Sequence, residues 1–194
     1  MKNQLLIFGL VVLIVCGCNS DYVPKPRGYY KIDFPQHQYR VFDQPGYPYK
    51  FEYPVYATVV KDSTFFEDKP VNDYWINVDF PRFNGKFYIS YLDIGQSTFD
   101  KLKEDAYKMT YKHTVKASSI RDSVFVSPNG ITGVFFYVGG NAATGRQFFL
   151  SDSVRHFLRG ALYFDTTPND DSLSIVNNFL EQDMRHLINT FQWK

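Results

Sequence analysis

Between Tyr74 and Phe164 lies a series of short strand-like apolar runs, and that restricts the fold more than any other feature of the chain. YWINVDF, Tyr74 to Phe80, alternates large apolar with polar residues after Trp75, and Pro81 stops it. Such alternation marks a strand with one face buried. Asn84-Gly85 follows, a pair that favours a tight hairpin turn. KFYISYL, Lys86 to Leu92, is the expected partner strand. Four more strand-like runs come later: Val115 to Val126, Ile131 to Val138, Arg146 to Leu150 and Arg155 to Phe164. Only two blocks change to a helical period. In the first, Ser97 is the expected cap, with Asp100 completing an S-x-x-D box. Phe99, Leu102, Ala106 and Met109 form its apolar face. In the second, Asp170-Asp171-Ser172 lead a stripe of Leu173, Val176, Phe179, Leu180, Met184, Leu187, Ile188 and Phe191. The order strands, helix, strand meander, helix predicts an α+β fold, an antiparallel β-sheet with packed helices.

The segment before this body has another character. Between Tyr22 and Tyr56 lie eleven aromatic residues and six prolines, at 24, 26, 35, 45, 48 and 54. The prolines exclude a long helix. They also deplete backbone donors, so the expectation is an extended arm with edge strands at most, such as Tyr49 to Tyr56, and no central strand. Large aromatics are unfavourable in water, so the arm should lie on a surface, its own domain's or a partner's. Arg27, Tyr29 and Tyr30 are the residues of this arm best suited to protein contact, because Arg and aromatics dominate interface energy. Gly28 would let the backbone pass close to a partner.

The N-terminus addresses the molecule. Lys2 precedes eleven apolar residues, Leu5 to Val15. At about 1.5 Å per residue, that run is too short for a hydrocarbon core of about 30 Å. A basic start and a short apolar run describe a secretory signal. Val15-Cys16-Gly17-Cys18 then resembles the lipobox of bacterial lipoproteins. The resemblance implies cleavage before Cys18, with lipid on its sulfur and on its new α-amine. The expected organisation is a signal peptide at 1–17, an anchor, tether and extended arm at 18–56, and an α+β globular domain at 57–194. Both cysteines are then accounted for, so no disulfide is left to stabilise the core.

Catalytic signals are sparse. His37, His113, His156 and His186 have no second histidine or cysteine at metal-ligand spacing, so no metal is expected. Asp183 and His186 stand three residues apart on the last helix, which reads as a solvated pair. Gly139 to Gly145 lacks the Lys and the following helix of a phosphate loop, so it reads as a hairpin loop and no cofactor is expected. There is no Gly-x-Ser-x-Gly elbow. The chain carries 21 basic and 20 acidic residues. That balance argues against nucleic acid as a partner. Arg159, in mid-strand between Phe157 and Ala161, needs a carboxylate or an aromatic face. It is either a structural salt bridge or a contact anchor on the sheet.

The order of elements resembles a PsbP/Mog1-like sandwich. PKPRGYYKIDFP, SDSVRHFLRGALYF and PNDDSLSIVNNFLEQDMRHLINTFQW together resemble the gliding-motility lipoprotein GldD family of Gram-negative gliding bacteria. The resemblance implies a non-enzymatic component or assembly factor of the gliding motility and type IX protein secretion machinery, with protein partners there. It carries over one residue, the lipidated Cys18, and no catalytic residue. Asn19-Ser20-Asp21 shows neither an acidic cluster after the cysteine nor Asp at the second position. The expected location is therefore the periplasmic leaflet of the outer membrane. The alternative is a periplasmic lipoprotein that binds or processes a small ligand, glycan or peptidoglycan. Aromatic residues, 19% of the chain, suit either role.

Overall fold

The computed structural model describes residues 31–62 and 70–194. The expected signal peptide, the lipid acceptor Cys18 and the contact residues Arg27, Tyr29 and Tyr30 lie outside them. Asp33–Lys194 forms one compact unit. Its larger sheet has seven strands: β3 (Thr58–Lys61), β4 (Ile76–Phe80), β5 (Gly85–Asp93), β6 (Ala117–Val126), β7 (Thr132–Gly140), β8 (Arg146–Ser151) and β9 (His156–Phe164). They lie in the order β3-β4-β5-β9-β8-β7-β6. Every pairing is antiparallel. One meander ends at β5. Helix α1 (Phe99–Tyr111) then carries the chain to the far edge, and a second meander returns until β9 lies against β5.

The two faces of this sheet are covered differently. On one, Leu102 and Ala106 of α1 pack with Ile94, Val134, Phe136, Phe149 and Phe157. On the other, helix α2 (Asp170–Thr190) lays Val176, Leu180, Met184, Leu187 and Ile188 on Phe87, Ile89, Phe135, Phe148, Leu150, Leu158 and Leu162. Alternation puts Phe157 and Leu158 on opposite faces of β9, and both are buried. Gly160 permits this packing. A Cβ there would lie 2.3 Å from a ring atom of Phe148.

The proline-rich segment enters the same core. β1 (Tyr39–Phe42) and β2 (Tyr49–Pro54) form a hairpin, and β10 (Gln192–Trp193) pairs with the other edge of β2. β2 is thus the central strand of a three-stranded sheet, contrary to the expectation. Proline removes a donor only at its own position, and Tyr49 to Tyr53 contains none. Phe42, Tyr49 and Phe51 are buried in the cluster that includes α2. From Asp33 onward the segment is a layer of the compact unit.

Two local signals act one position away from where they were expected. Thr98 caps α1, accepting from Lys101 N at 3.3 Å. Asp93 caps a short 3-10 turn, Ile94–Gln96, and that turn takes up Ser97 as its last flank. The β4–β5 link is a 3-10 turn, Pro81–Phe83, instead of a two-residue hairpin. Asn84 supplies the left-handed backbone at φ 47°, while Gly85 opens β5. No described helix is long and apolar enough to cross a membrane.

Candidate functional site

Most of the buried polar chemistry joins layers. Asp183, on the buried face of α2, has a fully buried carboxylate. It accepts from His37 Nδ1 at 2.7 Å, Tyr39 OH at 3.0 Å and Tyr56 OH. No hydrogen bond or ion pair joins His186 to Asp183 among the described residues. Its Nε2 lies 2.6 Å from Glu52 Oε2, and its ring stacks on Tyr39 with centroids 3.5 Å apart. The expected Asp183–His186 pair is therefore two bridges from α2 to the segment 37–56, and both meet Tyr39. Burial first, and then the Asp183 carboxylate, push the Tyr39 and Tyr56 hydroxyls far above the usual tyrosine range. Neither is a base at neutral pH.

Arg159 is 9% exposed and lies on the α1 face of β9. Its Nη2 donates to Gln147 Oε1 at 2.5 Å, and Tyr163 also bonds it. Thr110 Oγ1 is 3.1 Å from the same Gln147 oxygen. No carboxylate lies within ion-pair distance of Arg159 among the described residues. Burial therefore works against its charge, offset in part by Tyr163. His113 lies nearby. Burial, then the Arg159 charge, hold its imidazole below the ordinary value.

Beyond α1, the same face opens into a groove of about 600 Å³, lined by Asp79, Asn84, Lys86, Tyr88, Tyr163 and Asp165 among others. That volume is in the range of small-ligand sites. Strand pairing sets Asp79 beside Lys86 and Lys86 beside Tyr163. Lys86 Nζ stands 3.5 Å from Asp79 Oδ1, an ion pair without a hydrogen bond. Asn77 Oδ1, Asp79 Oδ1 and Gln147 Nε2 are buried without hydrogen-bond partners, and all three lie on this face.

The opposite face carries a basic cluster around Tyr137. Arg121, Arg146 and Arg185 place their guanidinium carbons 5.3, 5.2 and 5.8 Å from its ring centroid. Glu181 accepts from Arg146 Nε at 2.6 Å and Arg185 Nε at 2.8 Å. Burial would raise the Glu181 carboxyl, but the two arginines hold it below its usual range. No group of three or more His, Cys, Asp or Glu among the described residues is arranged to hold a metal ion.

These features organise a surface, and they do not name a role. The family does. The sequence model of the gliding motility lipoprotein GldD matches residues 19–193. The chain belongs to the GldD family. It is accordingly a gliding-motility-related lipoprotein, and GldD proteins are known as motility lipoproteins and not as an enzyme family. Comparison with curated protein sequences gives no match. Among solved structures, the chain is similar to the solution structure of cyanobacterial PsbP (CyanoP) from Synechocystis sp. PCC 6803. The identity is 11%, the match covers 86% of this chain and 98% of that one, and the TM-score is 0.48.

Of the lipid-attachment and contact residues expected from the sequence, only Arg159 is among the described residues. It is engaged inside the sheet face instead of presented on the surface. Sequence reading missed the Asp183 bridges and the Tyr137 cluster. The i, i+4 spacing of Glu181 and Arg185 was the one signal of the latter. Arg146 and Arg121 join them only through strand register.

Proposed function

We propose that this GldD protein is a non-enzymatic component or assembly factor of the gliding motility and type IX secretion machinery. In this reading it is anchored to the outer membrane through lipidated Cys18, with its domain in the periplasm. The observation that carries the reading is how the titratable groups are used. Asp183, His37, Tyr39, Tyr56, His186 and Glu52 hold α2 against the N-terminal segment. What remains at the surface is open: a groove on one face and a fan of arginines on the other. Shallow charged and aromatic surfaces suit protein contact. Arg27, Tyr29 and Tyr30, earlier in the sequence, are proposed as further contact residues. The test is complementation of a deletion strain by Arg27→Glu/Tyr29→Ala/Tyr30→Ala, scored for gliding, secretion and melting temperature. Loss of both activities with unchanged melting supports a docking strip. Normal gliding and secretion remove these residues from the contact surface. For the role itself, capture from detergent-solubilised envelope should recover motility or secretion components. Recovery of a bound small molecule and none of those components would reverse the reading.

The groove favours a second reading, a glycan or peptidoglycan contact. Tyr88 and Tyr163 offer ring faces, and Asp79, Asn84 and Asp165 offer hydrogen-bonding groups. Titration with muropeptides, comparing the parent with Asp165→Ala and Lys86→Ala, tests it. Saturable binding lost in both variants would support it.

A further inference from the structure

The larger sheet has two outer edges, and they differ. β3 is four residues long and ends in Lys61. Short length and an edge lysine both discourage a further strand. β6 runs for ten residues, ASSIRDSVFV, with neither proline nor lysine. Its one irregularity is at its start, between Ala117 and Ser119. Among the described residues, no strand pairs with its outer edge. Val124 and Val126 are 68% and 67% exposed. A long edge with exposed branched side chains is a template for strand addition.

The charges of this edge define what would pair with it. Arg121 shares the α2 face with Ser119, Ser123 and Phe125, and is registered on Tyr137. Its guanidinium contacts that ring but makes no ion pair among the described residues. Arg146 and Arg185 crowd the same ring, and among the described residues Glu181 is the one carboxylate bonded among the three cations. The other face of β6 presents Asp122, Val124 and Val126. Pairing with a second copy is disfavoured. A two-fold axis that keeps the sheet faces aligned, centred on mid-strand, sets Arg121 on Arg121 or Asp122 on Asp122.

We propose that β6 is a docking edge for an extended segment of a partner protein, paired antiparallel to it with an acidic side chain opposite Arg121. Main-chain hydrogen bonds supply affinity in this mode, and alternate side chains supply specificity. Antiparallel register then fixes the pattern, read from the partner's N-terminus: apolar opposite Val126, any residue, apolar opposite Val124, any residue, basic opposite Asp122, acidic opposite Arg121. The inference gives a site to the protein-contact role proposed above and rests on that reading.

The test titrates the full-length lipoprotein in detergent with a labelled octapeptide, Thr-Val-Thr-Val-Thr-Lys-Glu-Thr. Binding should be saturable, and amides of β6 should gain protection from hydrogen exchange. Arg121→Glu should weaken it about tenfold, and the peptide with Glu replaced by Lys should recover the loss. Backbone N-methylation of alternate peptide residues should abolish binding. Absent saturable binding, indifference to Arg121→Glu, or equal binding of the methylated peptide would overturn the proposal. So would dimerisation with β6 protected before any peptide is added, since a second copy would then own the edge. None of these results bears on gliding or secretion, which separately test the role.

Discussion

Replacing Asp183 by alanine should expose how this fold holds its N-terminal layer. The carboxylate is fully buried and accepts from three groups that all belong to residues 37–56. Alanine leaves these donors facing a small void. Removing one partner from a buried charged arrangement costs about 3–5 kcal/mol. Water can reach part of this site, because the His37 side chain is 26% exposed, so the middle of that range is expected. For a unit of this size, about 4 kcal/mol corresponds to a melting temperature lower by roughly 10 °C. Tyr39→Phe removes one donor and should cost only about 1 kcal/mol. Thermal and urea unfolding, followed by circular dichroism and tyrosine fluorescence, measure both. A double-mutant cycle of Asp183→Ala with Tyr56→Phe should be non-additive by at least about 1 kcal/mol. Melting of Asp183→Ala within about 2 °C of the parent, or strict additivity in the cycle, would refute the argument.

Gly160→Ala should destabilise by about 1–3 kcal/mol through overpacking, because its Cβ would collide with the buried Phe148 ring. A lowered urea midpoint, partly restored by adding Phe148→Leu, checks this. Alkali should weaken the fold through Tyr39 and Tyr56, whose folded pKa values stand above the ordinary 10.0. Their contribution is complete below about pH 10 and declines as pH rises through the folded values, because the unfolded chain gives up its protons first. Stability measured from pH 8 to 12 should therefore fall less steeply in Tyr56→Phe. Cys18→Ser should abolish incorporation of a palmitate analogue, whereas Cys16→Ser should leave it intact. Label persisting on the Cys18 variant would displace the acceptor.

The larger sheet was legible because short runs rich in large apolar residues mark its strands; β5 alternates in burial, whereas β9 is buried on both faces. Tyr74 to Phe80 and Lys86 to Leu92 show the alternation in residue order alone, and both helices show their apolar stripes. β3 and β10 were not legible. Each is too short for a period to repeat, and β10 exists only because β2 offers it an edge. β2 was misread because proline content was taken over a window, although the donors that matter are those of Tyr49 to Tyr53. Candidate sites were harder still. Asp183 is one of 20 acidic residues, and its partners His37, Tyr39 and Tyr56 lie more than 120 positions away. Nothing local distinguishes it. Arg159 did stand out, since a charge between Phe157 and Ala161 conflicts with its surroundings, but the sequence could not show that Gln147 and Tyr163 would answer it.

The placing of β2 has a consequence for how the molecule comes into being. Thr190 Oγ1 accepts from Glu52 N across 138 positions, and Asp183 meets His37 across 146. Contacts of such separation slow folding, because a long loop must close before they form. While α2 is missing, Phe42, Tyr49 and Phe51 on the β1–β2 hairpin lack the helix that covers them. A chain emerging N-terminus first therefore carries an adhesive hairpin through nearly its whole passage, and it can settle only after Phe191 arrives. For an exported protein this keeps the chain threadable during transit. It also means that any chain cut short before Asp170 emerges as a sticky fragment, fit for a chaperone or a protease and not for the membrane surface.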